Sequence, residues 1–174
     1  MRINDKDFEL FIPADDIAAM VARVAAEVSR DHEGSDLVVC PVLTGAFLFA
    51  SDLVRGLTVP CEVAFVKYAS YEGMASTGTV RCLLPFPASI KGRDVLLVED
   101  VVDSGLTMQR LIADAQACGA RSVRVCSLFF KPSAFKGDFR VDYVGREIGN
   151  EFIVGYGLDY DQKGRGLKDV WVVK

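Results

Sequence analysis

Between Glu99 and Thr107 the chain reads EDVVDSGLT, which sets three carboxylates and two hydroxyls around one glycine. A turn that leads into a helix offers free N–H groups and the positive end of a dipole, and both attract phosphate. Ser104 and Thr107 add hydroxyl donors, and Gly105 lets the backbone approach an anion closely. Glu99, Asp100 and Asp103 repel phosphate, so they must serve other parts of a ligand: sugar hydroxyls, a divalent cation, or a proton to be removed. A phosphorylated sugar carried with Mg²⁺ satisfies all three requirements.

The elements that must hold these groups can be read on either side. Val95-Leu96-Leu97-Val98 is an apolar run without polar alternation, as expected of a strand buried on both faces of a parallel sheet, and the acidic pair stops it. After the turn, Met108, Leu111, Ile112 and Ala115 fall at helical spacing. Strand, acids, turn and helix in that order describe a ligand site at the carboxyl end of a strand in an open α/β sheet. Neither G-x-x-x-x-G-K-[ST] nor a G-x-G-x-x-G after a strand is present.

The rest of the chain supplies the sheet. Ala14 to Asp31 has helical periodicity with Asp15 or Asp16 placed to cap its start, and Asp36 to Leu43 reads as a buried strand. Thr44-Gly45 turns into a helix over 46–55, and Glu62 to Lys67 is the next strand. Residues 69–80 are small and polar and read as a lid loop, with a strand from Val80 to Leu84. Ser122 to Phe130 is a further strand. Beyond it come turn-rich KPSAFKGDF and strand-like stretches at 141–144, 151–160 and 170–173, with no helix of normal length after Gly119. The expectation is an α/β, doubly wound parallel sheet flanked by helices. It forms a single domain over 1–174, with a core of about 14–130 and a small hood built from about 1–13 and 131–174.

Composition narrows the function. A chain of 174 residues that is 51% hydrophobic folds around a sizeable core. A net charge of −4 leaves no electrostatic footprint for nucleic acid or an anionic membrane. The N-terminus lacks the apolar stretch of a signal peptide, and no apolar run is long enough to span a bilayer. Five widely spaced cysteines without C-x-x-C read as reduced thiols in a cytoplasmic protein. The one histidine, His32, sits where a helix should end and reads as a positive residue near its C-terminus. With a single histidine, zinc catalysis and a Ser-His-Asp triad are excluded, and proton chemistry falls to carboxylates, lysines or tyrosines.

The hydrophobic run followed by E-D-x-x-D-[ST]-G-x-T resembles the phosphoribosyl-pyrophosphate (PRPP) motif of type I phosphoribosyltransferases. Three more stretches resemble the hypoxanthine-guanine phosphoribosyltransferase family in particular. Val42-Leu43-Thr44-Gly45-Ala46-Phe47 is similar to its first active-site loop, and Ser70-Tyr71 with Ser76-Thr77-Gly78 to its mobile second loop. Lys131-Pro132-Ser133, Phe152 to Tyr160, and Arg165 are similar to its purine-binding hood. The likeness covers roughly residues 36–174.

The resemblance implies purine salvage: Mg²⁺-dependent transfer of the phosphoribosyl group from PRPP to hypoxanthine or guanine, giving IMP or GMP and pyrophosphate. Glu99 and Asp100 would hold the ribose hydroxyls with Mg²⁺ nearby. Asp103, Ser104, Gly105, Leu106 and Thr107 would bind the 5′-phosphate, with Asp103 also the proton acceptor at purine N7. Lys131 would donate to the 6-oxo group, and Phe152 would stack on the ring. Main-chain groups of Ile153 and the Asp159 region would read N1 and C2. The Asp159 carboxylate would meet a second Mg²⁺ on pyrophosphate, which Arg165, Leu43, Thr44 and Gly45 would also contact. Ser70 and Tyr71 would close over the reaction, and the enzyme would be a homodimer or homotetramer. Two departures stand out. Thr44 replaces a basic residue common in the family, and Gly149-Asn150-Glu151 replaces the usual Pro-Asp-x. The choice among hypoxanthine, guanine and xanthine stays open, and a PRPP-sensing regulator is the competing class of function.

Overall fold

Residues on one strand are shared out between two helical layers by simple alternation, and β7 (Asp94–Val102) shows how. Leu96 and Val98 pack with α1 (Ala14–Asp31) and α2 (Phe47–Gly56), whereas Val95 and Leu97 pack with α3 (Leu106–Ala117). The computed structural model describes residues 1–70 and 80–174, and of Ser70 only the backbone. In it β7 is the middle of a five-stranded parallel sheet. On one side lie β3 (Leu37–Pro41) and then β4 (Cys61–Val63); on the other lie β8 (Ser122–Phe130) and β9 (Tyr143–Glu147). Helices cover both faces, which is the doubly wound arrangement.

Several local expectations are corrected. The acidic pair does not end β7; the strand runs on to Val102, because β8 continues beside it and pairs Val101 with Phe129 and Val102 with Phe130. The stretch expected as one strand over 62–67 divides into β4 and β5 (Lys67–Ser70). Val66 only bridges to Val42, and the chain then leaves the sheet to form a two-stranded hairpin with β6 (Val80–Leu84). The strand read at 141–144 lies at 143–147, and within 151–160 only β10 (Ile153–Val154) is extended. Glycines at positive φ, Gly155 at 109° and Gly157 at 101°, turn the rest of that stretch back on itself. Neither Asp15 nor Asp16 caps α1; the Ala14 N–H donates instead to the Asp169 carboxylate at 2.8 Å. His32 is 3% exposed, and burial first, then the Arg124 charge, push its imidazole below its ordinary value. It closes the helix as a buried neutral ring beside Ser35, not as a surface cation.

The two ends of the chain meet in a second, antiparallel sheet. β1 (Arg2–Ile3), β2 (Lys6–Ile12), β11 (Val170–Val173) and β10 lie in that order. Phe8, Val154 and Ile3 form its own small apolar cluster.

Candidate active site

The site follows from unequal strand lengths. β3 stops at Pro41, opposite Val98, while β7 goes on for four residues beside β8. Past Pro41 the β3 flank of β7 is therefore open, and Glu99 and Asp100 stand on it. The loop after β3 closes the space from the other side. A cavity of about 240 Å³ results, lined by Leu43, Thr44 and Gly45, by Glu99 and Asp100, and by the turn from Asp103 to Thr107. The Leu43–Thr44 peptide is cis. Gly45 lies so close to the acids that a Cβ there would sit 1.6 Å from Asp100 Oδ2, so no side chain fits.

Charge in this cavity is poorly compensated. Burial, and then the charge of Asp100, push the Glu99 carboxyl well above its ordinary range. Asp100 is raised as well, by burial, although the Val101 N–H donates to it at 2.7 Å and Arg165 lies near enough to oppose the shift. Two acids that resist ionisation side by side form a place for a cation or for sugar hydroxyls. Among the described residues no cluster of three metal-ligating side chains exists. That donor set suits Mg²⁺, which is commonly held by one or two carboxylates, with water and substrate oxygens completing the shell.

Facing the acids, Gly105 adopts a left-handed φ of 80° and α3 starts at once. Gly105 brings no capping side chain, the Leu106 N–H has only a long 3.5 Å hydrogen bond to Ser104 Oγ, and Ser104 and Thr107 line the same cavity. A helix start of this kind attracts anions. Leu106, expected among the phosphate-binding residues, is 50% exposed and does not line the cavity.

The hood side joins through Lys131. Its side chain is largely buried, and Nζ donates to the Glu151 carbonyl at 3.0 Å and reaches Asp103 Oδ2 at 3.4 Å. Next to Glu151, Phe152 keeps much of its ring open while tilting against Phe8 and meeting Tyr160 edge-on at 5.6 Å. Ile153 is buried in β10. Arg165 and Asp159 are paired with each other at 2.6 Å, and Arg165 also donates to the Gly157 carbonyl at 2.8 Å. Gly157 in turn presses on the first loop, where a Cβ would lie 2.1 Å from the Gly45 carbonyl oxygen. Leu43, Thr44, Gly45, Glu99, Asp100, Asp103, Ser104, Gly105 and Thr107 thus share one cavity; Leu106 and Arg165 do not line it, Lys131 touches its Asp103, and Gly157 presses on its Gly45. Of the expected lid pair, Tyr71 and the Ser70 side chain lie outside the described residues.

Two contributors escaped the sequence reading. Tyr68, on β5, walls the cavity and donates to Asp114 at 2.8 Å; in a short apolar strand it reads as ordinary core. Phe135 lies directly behind Gly105, and its signal was an aromatic ring placed in a polar turn-rich loop.

Comparison with known proteins places this geometry. A model of the phosphoribosyl transferase domain matches residues 13–161. The hypoxanthine-guanine phosphoribosyltransferase of Mycobacterium tuberculosis H37Rv is 42% identical over 165 residues, covering 91% of this chain and 82% of that one. The chain belongs to the hypoxanthine-guanine phosphoribosyltransferase family. The hypoxanthine phosphoribosyltransferase of Salmonella typhimurium is 38% identical, with 91% of each chain covered. A crystal structure of a hypoxanthine-guanine phosphoribosyltransferase from Bacillus anthracis superposes with a TM-score of 0.90 at 35% identity, over 97% of this chain and 98% of that one. The protein is therefore a phosphoribosyltransferase with the type I fold. As a member of this hypoxanthine-guanine phosphoribosyltransferase family it has no helix, among the described residues, long and apolar enough to cross a membrane.

Proposed function

We propose that the chain transfers the 5-phosphoribosyl group of PRPP to N9 of hypoxanthine or guanine, releasing pyrophosphate and giving IMP or GMP in purine salvage. The observation that carries this reading is a single cavity with an acidic pair on one side and the start of α3 on the other, whose Asp103 is reached at 3.4 Å by a largely buried lysine from the hood. Glu99 and Asp100 hold the ribose 2′- and 3′-hydroxyls, and the turn from Asp103 to Thr107 takes the 5′-phosphate. Asp103 stands at the junction with the base and accepts its proton at N7. Lys131, already donating to a carbonyl, donates equally well to a 6-oxo group, so adenine is refused. Phe152 stacks on the ring, with the Ile153 and Asp159 backbone at its edge. Leu43, Thr44, Gly45 and Arg165 surround the departing pyrophosphate. Ser70 and Tyr71 belong to the loop that shuts out water.

Mg²⁺ fits Glu99 and Asp100, with Asp159 as a second attachment through pyrophosphate, and it would neutralise charge that grows on the leaving oxygens. The described cysteines are free thiols, in keeping with a cytoplasmic setting. A homodimer or homotetramer has a surface available. Phe47, Val63 and Phe65 stand exposed along an apolar groove between α2 and edge strand β4.

The test is a spectrophotometric assay with PRPP and Mg²⁺ against hypoxanthine, guanine, xanthine and adenine in turn. Turnover of hypoxanthine and guanine, without adenine, is the expected result. Binding of PRPP with no turnover of any base would replace the enzyme by a PRPP-sensing regulator.

A further inference from the structure

The residues from Lys131 to Phe139 do more than bring a lysine to the base side; they also pack behind the anion-binding turn. Backbone hydrogen bonds fasten the two stretches together twice. The Lys131 N–H donates to the Val102 carbonyl and the Lys136 N–H to the Ser104 carbonyl, both at 3.0 Å. Between these points the Phe135 ring is held edge-on by Phe130 at 5.2 Å and by Phe139 at 5.0 Å. Its rim reaches Gly105 so closely that a Cβ there would lie 2.6 Å from Cε2. Gly137 is under the same constraint, with a Cβ 2.8 Å from the Phe135 Cζ. Gly105, at φ 80°, is the residue whose conformation sets where the first N–H groups of α3 point.

One loop therefore has the base-side lysine at its start and a rigid ring against the phosphate turn at its middle. Close-packed rings do not compress, so a displacement at one end is passed on to the other. We infer that Phe135 is a positioning residue that fixes the Gly105 turn and couples occupation of the base site to affinity for the phosphorylated sugar. The inference rests on the function proposed above. Coupling of this kind is reciprocal: whatever base binding does for PRPP, PRPP does equally for the base.

The experiment is calorimetric titration of PRPP with Mg²⁺ into the full-length protein, with and without 9-deazahypoxanthine. This 6-oxopurine analogue carries carbon where the glycosidic bond would form, so both ligands bind without reacting. In the wild type the analogue tightens PRPP binding by about 5- to 150-fold, the usual span of coupling between sites. Phe135→Ala brings that factor close to one and weakens PRPP alone, while affinity for the analogue alone is kept. Phe135→Leu, which refills most of the space, restores an intermediate factor and serves as the test if the alanine variant does not fold. Undiminished coupling in the variants would overturn the inference, as would equal weakening of both ligands, the mark of plain packing. A wild type that binds both ligands without coupling overturns it alone. A wild type that binds no PRPP overturns the proposed function, and this inference with it.

Discussion

Asp103 stands more than half exposed at the mouth of the cleft, 3.4 Å from the lysine that leads to the base side. Replacing it by asparagine keeps its size but removes the carboxylate proposed to accept the proton of the base. Asp103→Asn should lower turnover by about 10²–10⁴-fold with PRPP binding retained; a kcat within twofold of wild type would make it only a loop organiser. Asp94, the same side chain at the other end of the same strand, does structural work. Hydrogen bonds from Arg121, and then from Ser122, hold its carboxyl down at about 2, against an ordinary 3.8. A depressed acid stabilises the fold above its unfolded pKa and loses that contribution as pH falls through its folded one. Asp94 therefore contributes about 2 kcal/mol at neutral pH, lost between roughly pH 4 and 2. Urea titrations at pH 6 and at pH 3, midway through that window, should show about half of this difference in wild type and lose most of it in Asp94→Asn. The acids, turn and helix start that line the cavity were legible because they are consecutive in the chain. Tyr68 and Phe135 were not, because each acts on a partner far along the chain, and apolar or aromatic identity alone does not say which.

The helix α1 shows the same limit for an element. Its periodicity was visible in Ile17, Val21, Val24 and Val28, all buried as spaced. Its cap was not, because Asp169 lies 155 residues away and nearer acids looked adequate. Asp169→Ala should destabilise the protein by about 1 kcal/mol, the usual worth of a cap, whereas Asp15→Ala and Asp16→Ala should have much smaller effects by thermal denaturation. Strand β7 outran its expected end because the pairing that prolongs it belongs to β8, not to its own composition. The split of β4 from β5 likewise depends on a partner, β6, beyond the 71–79 segment.

At the scale of the molecule, α/β class and helices on both faces were readable from alternation of apolar runs and helical stripes. The way two sheets are brought to one cleft was not, since it hangs on backbone contacts such as Gly157 against Gly45. Gly157→Ala would add strain at φ 101° and a collision with that carbonyl. A loss of about 1–3 kcal/mol is expected, read as a fall in Tm of roughly 2–12 °C, together with impaired PRPP use. The exposed groove makes a further prediction: Phe65→Asp should convert the proposed dimer or tetramer to monomers by light scattering, and an unchanged mass would direct attention to another face. The second sheet also sets an order of events during synthesis. β2 is made long before its partner β11, and the Lys174 N–H donates to the Asp7 carbonyl at 3.0 Å. All five parallel strands have been translated by residue 147. A nascent chain thus carries every strand of the parallel sheet while the β11 side of β2 waits unpaired, and the contact of Gly157 with Gly45 that joins the two halves of the cleft forms only later.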